Sequence, residues 1–202
     1  MRDNENIESL VALKPDYIGF IFYHKSKRFV TNFPKIKIPS EIKKVGVFVN
    51  EKTEKIVALV QEFKLDAVQL HGNESPEYCE KLRRSIIITG LNSIEIIKAF
   101  SVDDDFNFSR TNMYQDKCDY FLFDTKGKDY GGNGVKYNWK ILSDYKGLTP
   151  FLLSGGISKI DASEINTIKH PAFVGVDINS GFEICPTIKN INDIKEFKYN
   201  LL

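Results

Sequence analysis

Two short segments near the C-terminus constrain what this chain can fold into more than any other part. Pro150-Phe151-Leu152-Leu153-Ser154-Gly155-Gly156 and Phe173-Val174-Gly175-Val176-Asp177-Ile178-Asn179-Ser180-Gly181 are each an apolar, β-prone run ending in a small-residue turn. A helical pattern that begins near Ser158 separates them. Parallel strands need such a crossover, and in α/β folds the turns after the strands carry the ligand site. Glycines and a serine there let backbone N–H groups approach an anion closely, with a helix N-terminus behind them. Two consecutive turns of this kind predict a phosphate-binding α/β barrel.

The same alternation runs down the whole chain. Apolar runs recur at residues 17–23, 45–49, 67–70, 94–100, 120–123, 151–153 and 173–176. They do not alternate apolar with polar, so both faces are expected to be buried, as in a parallel sheet. Helix-like stretches lie between them at 4–13, 53–63, 75–82, 138–145, 158–168 and 190–201. Thr53 before Ile56, Val57 and Val60 predicts an N-cap followed by an inward stripe, and Ser158 repeats the device. Pro34 and Pro39 argue against a full helix over 31–40. The array is either a (β/α)8 TIM barrel or a doubly wound sheet. With 202 residues, 42% hydrophobic content and no Gly, Ser or Pro linker, residues 1–202 are expected to form one domain.

The strand count is short by one. Seven runs are countable and the chain opens in a helical pattern at Asp3-Asn4-Glu5-Asn6, whereas an eight-stranded barrel begins with a strand. Either the sheet is open or a first strand lies outside this chain.

Charge and cysteine usage narrow the function classes. A formal net charge of +1 creates no field that favours nucleic acid or a membrane. No apolar run approaches a membrane span and no signal peptide is visible, so a cytoplasmic location is expected. Cys79, Cys118 and Cys185 form no CxxC pair and are read as reduced thiols. With His24, His71 and His170 equally scattered, no metal set is expected.

Five places carry candidate chemistry. Asp124 closes Tyr120-Phe121-Leu122-Phe123-Asp124-Thr125, and a carboxylate at a barrel strand's C-terminal end suits a general acid. The alternative is an Asx cap on the turn that follows. The glycine-rich stretch 126–134 reads as a mobile lid or a plain surface loop. Arg28, beyond an early strand, can hold a carboxylate in bidentate geometry, or it belongs to a solvated basic loop. His71 ends another strand and faces the same mouth, as a substrate contact or a structural histidine. Asp177, Asn179, Ser180 and Gly181 complete the last turn, beside the matching Gly155-Gly156 turn. Trp139 is expected in the core.

Taken in order, these segments resemble phosphoribosylanthranilate isomerase of tryptophan biosynthesis. The matching pieces are Gly19-Phe20-Ile21-Phe22-Tyr23-His24-Lys25-Ser26-Lys27-Arg28, Val45-Gly46-Val47-Phe48-Val49-Asn50 and Val68-Gln69-Leu70-His71-Gly72. They continue with Asp124-Thr125-Lys126-Gly127, Tyr130-Gly131-Gly132-Asn133-Gly134, Ser154-Gly155-Gly156 and Val176-Asp177-Ile178-Asn179-Ser180-Gly181-Phe182-Glu183. The resemblance implies a (β/α)8 barrel and an Amadori rearrangement of N-(5-phosphoribosyl)anthranilate, with no metal or organic cofactor. It makes Asp124 the general acid that opens the ribose ring, Arg28 the anchor of the anthranilate carboxylate and the two small-residue turns the phosphate site. The implied partner is this small phosphorylated substrate, bound by a monomer or homodimer.

The chain departs from the family at its start. Members usually open with a strand ending in Cys-Gly, whose cysteine is the general base, and neither is present here. None of Cys79, Cys118 and Cys185 matches that position. The expectation is a misassigned start at Met1, exposed sheet edges near Tyr17 and Phe173 that invite association or a loosened N-terminal helix, and severely reduced turnover. Another phosphate-binding barrel enzyme and a non-catalytic phosphometabolite-binding barrel are the rival readings.

Overall fold

The computed structural model describes residues 1–126 and 136–201. The stretch read as a lid therefore lies, beyond Lys126, outside the described residues. Seven strands form one sheet: β1 (Tyr17–Ile21), β2 (Lys43–Phe48), β3 (Ala67–Leu70), β4 (Glu95–Val102), β5 (Tyr120–Thr125), β6 (Phe151–Leu153) and β7 (Phe173–Val176). Every neighbouring pair is parallel and the spatial order follows the chain order from β1 to β7. A doubly wound sheet reverses its order at a switch point; this one never does. It is a singly wound α/β sheet that curls as an incomplete barrel.

The run pattern has a direct structural counterpart in two apolar layers. Alternate strand residues Val45, Ala67, Ile97, Ala99 and Leu122 pack together on the concave side. The intervening residues, among them Phe48, Val68, Leu70, Ile96, Phe121 and Phe151, belong to a larger core with the helices. Both faces are buried, which is why the runs do not alternate. The same two-residue period carries the concave face up to the strand ends, from Tyr120 and Leu122 to Asp124, and from Ala67 and Gln69 to His71.

The helices cover the convex face. α1 (Asn4–Val11) is capped by Asp3, whose carboxylate accepts from Asn6 N–H at 2.8 Å, and buries Ile7 and Leu10. It is docked rather than loosened: Asn6 Nδ2 donates to the Lys189 carbonyl and Lys189 N–H donates back to Asn6 Oδ1, at 2.9 and 2.7 Å. α2 (Thr53–Phe63) buries Ile56, Val57 and Val60 as the stripe requires, but the capping position is Lys52. Thr53 is the first helical residue, 2% exposed, and its hydroxyl has no partner among the described residues. α3 (Pro76–Ile88) starts at Ser75 as expected and runs six residues past the expected end at Leu82. Its last turn buries Ile86, four residues after Leu82 on the same face.

Other connections are tighter than α-helices. The 138–145 pattern is a 3-10 helix, Trp139–Asp144, with Trp139 4% exposed, and a second one spans Phe108–Tyr114. The 158–168 pattern divides into a 3-10 turn, Lys159–Asp161, and a short α4 (Ala162–Ile165). Asp161 accepts from Ser158 N–H and from its hydroxyl, at 2.7 and 2.9 Å, so Ser158 begins this segment as expected. A small antiparallel pair, β8 (Glu183–Cys185) and β9 (Ile188–Lys189), precedes α5 (Ile191–Asn200).

Among the described residues the sheet ends at β1 and β7, the two expected edges. β7 pairs only with β6, and β1 pairs along its length with β2 alone, apart from one bridge between Ile21 and Phe29. Both edges line one cleft of about 1190 Å³, which also reaches the C-terminal strand ends. No helix among the described residues is long and apolar enough to cross a membrane.

Candidate active site

Three titratable side chains converge where the concave face opens. Asp124 comes from the end of β5, His71 from the residue after β3, and Asp177 from the residue after β7. His71 Nε2 lies 3.3 Å from Asp124 Oδ2, with 18% and 15% of the two side chains exposed. Burial works against a charge on His71, yet the Asp124 and Asp177 carboxylates overcome it and hold the imidazole above its ordinary value. Burial also pushes Asp177 up, reinforced by the Asp124 charge, while the charges of His71 and Lys189 and a hydrogen bond with Gln69 oppose the rise. His71 and Asp177 thus hold protons more readily than they would in water. Such a group can hand a proton to a substrate atom placed beside Asp124.

Arg28 stands at the edge of the same cleft, in the segment after β1. Its side chain is 16% exposed and already engaged: Nε donates to both Glu183 oxygens at 2.9 and 3.0 Å, and Nη2 to Oε2 at 2.6 Å. The fork therefore meets a carboxylate of the chain itself, a partner 155 positions away that sequence reading missed. Glu183 uses the Nε side of the guanidinium, and among the described residues no acceptor meets the Nη1 N–H groups, which remain for a second anion. Burial opposes ionisation of Glu183, and Arg28 and Lys189 overcome it, holding its carboxyl below the usual range. Lys189 Nζ donates to Glu183 at 3.1 Å and to the Asn179 carbonyl and Oδ1 at 2.9 and 2.6 Å. A chain of polar contacts thus links Arg28 to the last small-residue turn. Glu183 closes the quoted 176–183 motif, the one signal that marked it.

The two turns sit side by side at this rim. Gly155 has φ +91° and Gly156 φ +66°, and a Cβ on Gly155 would stand 2.3 Å from the Thr125 backbone N. At Gly181 a Cβ would stand 2.1 Å from the Ile157 carbonyl oxygen, so the second turn packs onto the first. Only glycine satisfies these positions. The N–H groups of Gly155 and Gly156 have no hydrogen-bond partner among the described residues and are available to an anion. The expected helix N-termini behind the turns are weak: one turn leads into a 3-10 segment and four-residue α4, the other into Ser180–Phe182 and β8. Short segments sum few peptide dipoles, so backbone N–H groups, the Ser180 hydroxyl and nearby Lys189 would carry anion binding.

The remaining candidates are structural. His170 Nε2 lies 2.9 Å from the Tyr145 carbonyl. Cys79 and Cys118 are buried, Cys185 is exposed, and no cysteine lines the cleft among the described residues. No group of three His, Cys, Asp or Glu side chains clusters as a metal site among them.

Comparison with known proteins agrees with this geometry. The family model described as N-(5′-phosphoribosyl)anthranilate (PRA) isomerase matches residues 1–200. The N-(5′-phosphoribosyl)anthranilate isomerase of Parabacteroides distasonis is 45% identical, over all of this chain and 90% of its own length. Among solved structures, phosphoribosyl anthranilate isomerase from Thermotoga maritima superposes with a TM-score of 0.83 at 33% identity, covering 99% of this chain and 94% of its own. A phosphoribosyl anthranilate isomerase in complex with reduced 1-(o-carboxyphenylamino)-1-deoxyribulose 5-phosphate gives 0.80 at 30% identity, with the same coverage. With a seven-stranded singly wound sheet, an Asp–His pair at its C-terminal rim and a family match over almost every residue, this chain belongs to the N-(5′-phosphoribosyl)anthranilate isomerase family.

Proposed function

We propose that this protein binds N-(5′-phosphoribosyl)anthranilate and directs its Amadori rearrangement to 1-(2-carboxyphenylamino)-1-deoxyribulose 5-phosphate, in cytoplasmic tryptophan biosynthesis. The observation that carries the reading is one cleft with three complementary features: a carboxylate paired with a histidine, an oriented guanidinium and a pair of glycine turns. The substrate's phosphate sits on the N–H groups of Gly155 and Gly156, with Asn179, Ser180 and Gly181 across from them. Its anthranilate carboxylate meets the free edge of Arg28. That leaves the ribose ring oxygen facing Asp124, which donates a proton as the C1′–O bond breaks and the aryl nitrogen forms the Schiff base. His71 and Asp177 keep the proton population of the cluster high. Removal of the C2′ proton then gives the enol-amine, which tautomerises to the ketone.

The second step needs a base, and the family's base is a cysteine. Since no cysteine lines the cleft among the described residues, we propose that the 202-residue chain binds this substrate as a monomer or homodimer and turns it over poorly. A missing acid–base group lowers rates by roughly 10²–10⁴-fold. The test compares turnover of phosphoribosylanthranilate by this chain and by a form carrying an added N-terminal strand that ends in Cys-Gly. Turnover restored only in the longer form supports both statements. Full turnover by the shorter chain removes the impairment, and failure of both forms, with a phosphorylated ligand still bound, favours a binding barrel over an isomerase.

A further inference from the structure

Beneath the site lies a charge pair that this chemistry does not use. Lys98 points from the middle of β4 into the helix-covered side of the sheet, opposite to its neighbours Ile97 and Ala99, and its side chain and that of Glu74 are 3% and 1% exposed. Lys98 Nζ, with three N–H groups, lies within hydrogen-bond reach of Glu74 Oε2 at 3.1 Å and of the carbonyls of Leu70, Gly72 and Ala99 at 3.3, 2.9 and 2.8 Å. The Glu74 carboxylate accepts from Gly72 N–H at 2.9 and 3.1 Å and from Asn50 N–H at 2.8 Å. Leu70 and Gly72 are the residues on either side of His71. The pair therefore grips a carbonyl before the histidine and both peptide groups of the residue after it, while His71 N–H is taken by the Phe48 carbonyl at 2.8 Å.

The surroundings leave this loop little freedom. Asn50, held by Glu74, sits at φ +49°, and its Oδ1 accepts from Asn73 N–H at 2.8 Å. A Cβ on Gly72 would stand 2.5 Å from that same Oδ1. Tyr114 OH donates to the Glu74 carbonyl at 3.0 Å. A buried ion pair adds little net stability over apolar residues of the same volume. What it supplies instead is direction: fixed hydrogen bonds to chosen peptide groups, which an apolar pair does not make.

We propose that Lys98 and Glu74 are positioning residues, whose buried pair clamps the peptide groups flanking His71 and so sets its imidazole against Asp124. The clamp stands on geometry alone; its consequence for turnover rests on the isomerase reading. The charged groups facing His71 are Asp124 from β5 and Asp177 beyond β7, while the Lys98 charge acts on it from the other side of the sheet and opposes its protonation. The 3.3 Å separation from Asp124 is long for a hydrogen bond, so a small shift of the loop decides whether the two share a proton.

The experiment is an NMR titration of the three histidine imidazoles in this chain, with His71→Asn identifying the signal of interest. Glu74→Asp keeps the charge that balances Lys98 but shortens the reach to Asn50 and Gly72. The double variant Lys98→Met/Glu74→Gln removes the pair without leaving a lone charge. In the parent, His71 titrates above the ordinary imidazole value of 6.5. In both variants it falls back toward that value. In the form with Cys-Gly restored, kcat falls by about 10²-fold, as a misplacement near 1 Å costs, with KM little changed. If the double variant fails to fold, Glu74→Asp still answers. A His71 titration unchanged in Glu74→Asp overturns the clamp, even where thermal stability drops. If the form carrying the added Cys-Gly strand shows no turnover while the His71 titration still follows Glu74, the isomerase reading alone falls and the clamp stands.

Discussion

The arc from β3 to β5 and the seam between β1 and β7 are built from similar apolar runs but are held by different forces. In the arc every strand has a neighbour on both sides, and all four residues of β3 are buried. Its outer face is filled by Phe121 and Phe123, both 0% exposed, and Phe123 makes edge-on contacts with Phe108 and Tyr145 at centroid distances of 5.1 and 5.3 Å. At the seam β7 is half-buried and Val174 is 53% exposed. There the polar chain Arg28–Glu183–Lys189–Asn179 and the reciprocal Asn6–Lys189 bonds do the holding. The contrast separates two proposed tasks. Asp124 and His71 project from the packed arc, whereas the groups proposed to hold the substrate's anions lie along the seam, whose contacts are mostly polar and electrostatic.

The largest effect that bears on this contrast is chemical. Asp124→Asn in the form with Cys-Gly restored should lower turnover by roughly 10²–10⁴-fold while a phosphorylated product analogue still binds; equal loss of binding would contradict the division of tasks. Next comes packing. Phe123→Ala in the arc should cost about 3–5 kcal/mol in urea unfolding, and a cost near zero would mean that the aromatic cluster is not the arc's support.

A smaller change is expected from pH at the seam. The Glu183 carboxyl titrates below its unfolded value of 4.5 in the folded chain. Its contribution is therefore complete above that value and is lost as pH falls from there through the lower folded value. Glu183→Gln should lower stability at neutral pH, where that contribution is complete, and flatten the acid limb, so that parent and variant converge as the pH falls; an unaltered acid limb would show that other carboxylates set it. Smallest of all, Val174→Ala on the exposed edge should change stability by no more than about 0.5 kcal/mol. A cost comparable to Phe123→Ala would erase the difference between arc and seam.

Much of the fold was legible because it depends on near neighbours in the chain. Seven apolar runs became seven strands, and Pro34 with Pro39 kept 31–40 free of helix. The misses have local reasons of their own. The end of α3 reads Ile86-Ile87-Ile88, β-branched residues that favour strands, and only the burial of Ile86 against the core holds it helical. Thr53 looks like a cap, but its side chain is turned inward at the first helical position. A lone lysine within the apolar run 94–100 was the visible trace of the clamp, unreadable without knowing that Glu74 faces it.

The amino-acid sequence alone determined the βα alternation, the glycine turns after β6 and β7, and the placing of Asp124 at a strand end. These follow from hydrophobic period, steric freedom at glycine and strand length, all of which act over a few residues. Tertiary structure alone decided that the sheet winds in one direction, that His71 meets Asp124, that Glu183 takes one side of Arg28, and that Lys98 finds Glu74. Those pairings join residues 24 to 155 positions apart. A charge can be satisfied by any opposite charge within reach, and only the closing of the sheet settles which one arrives.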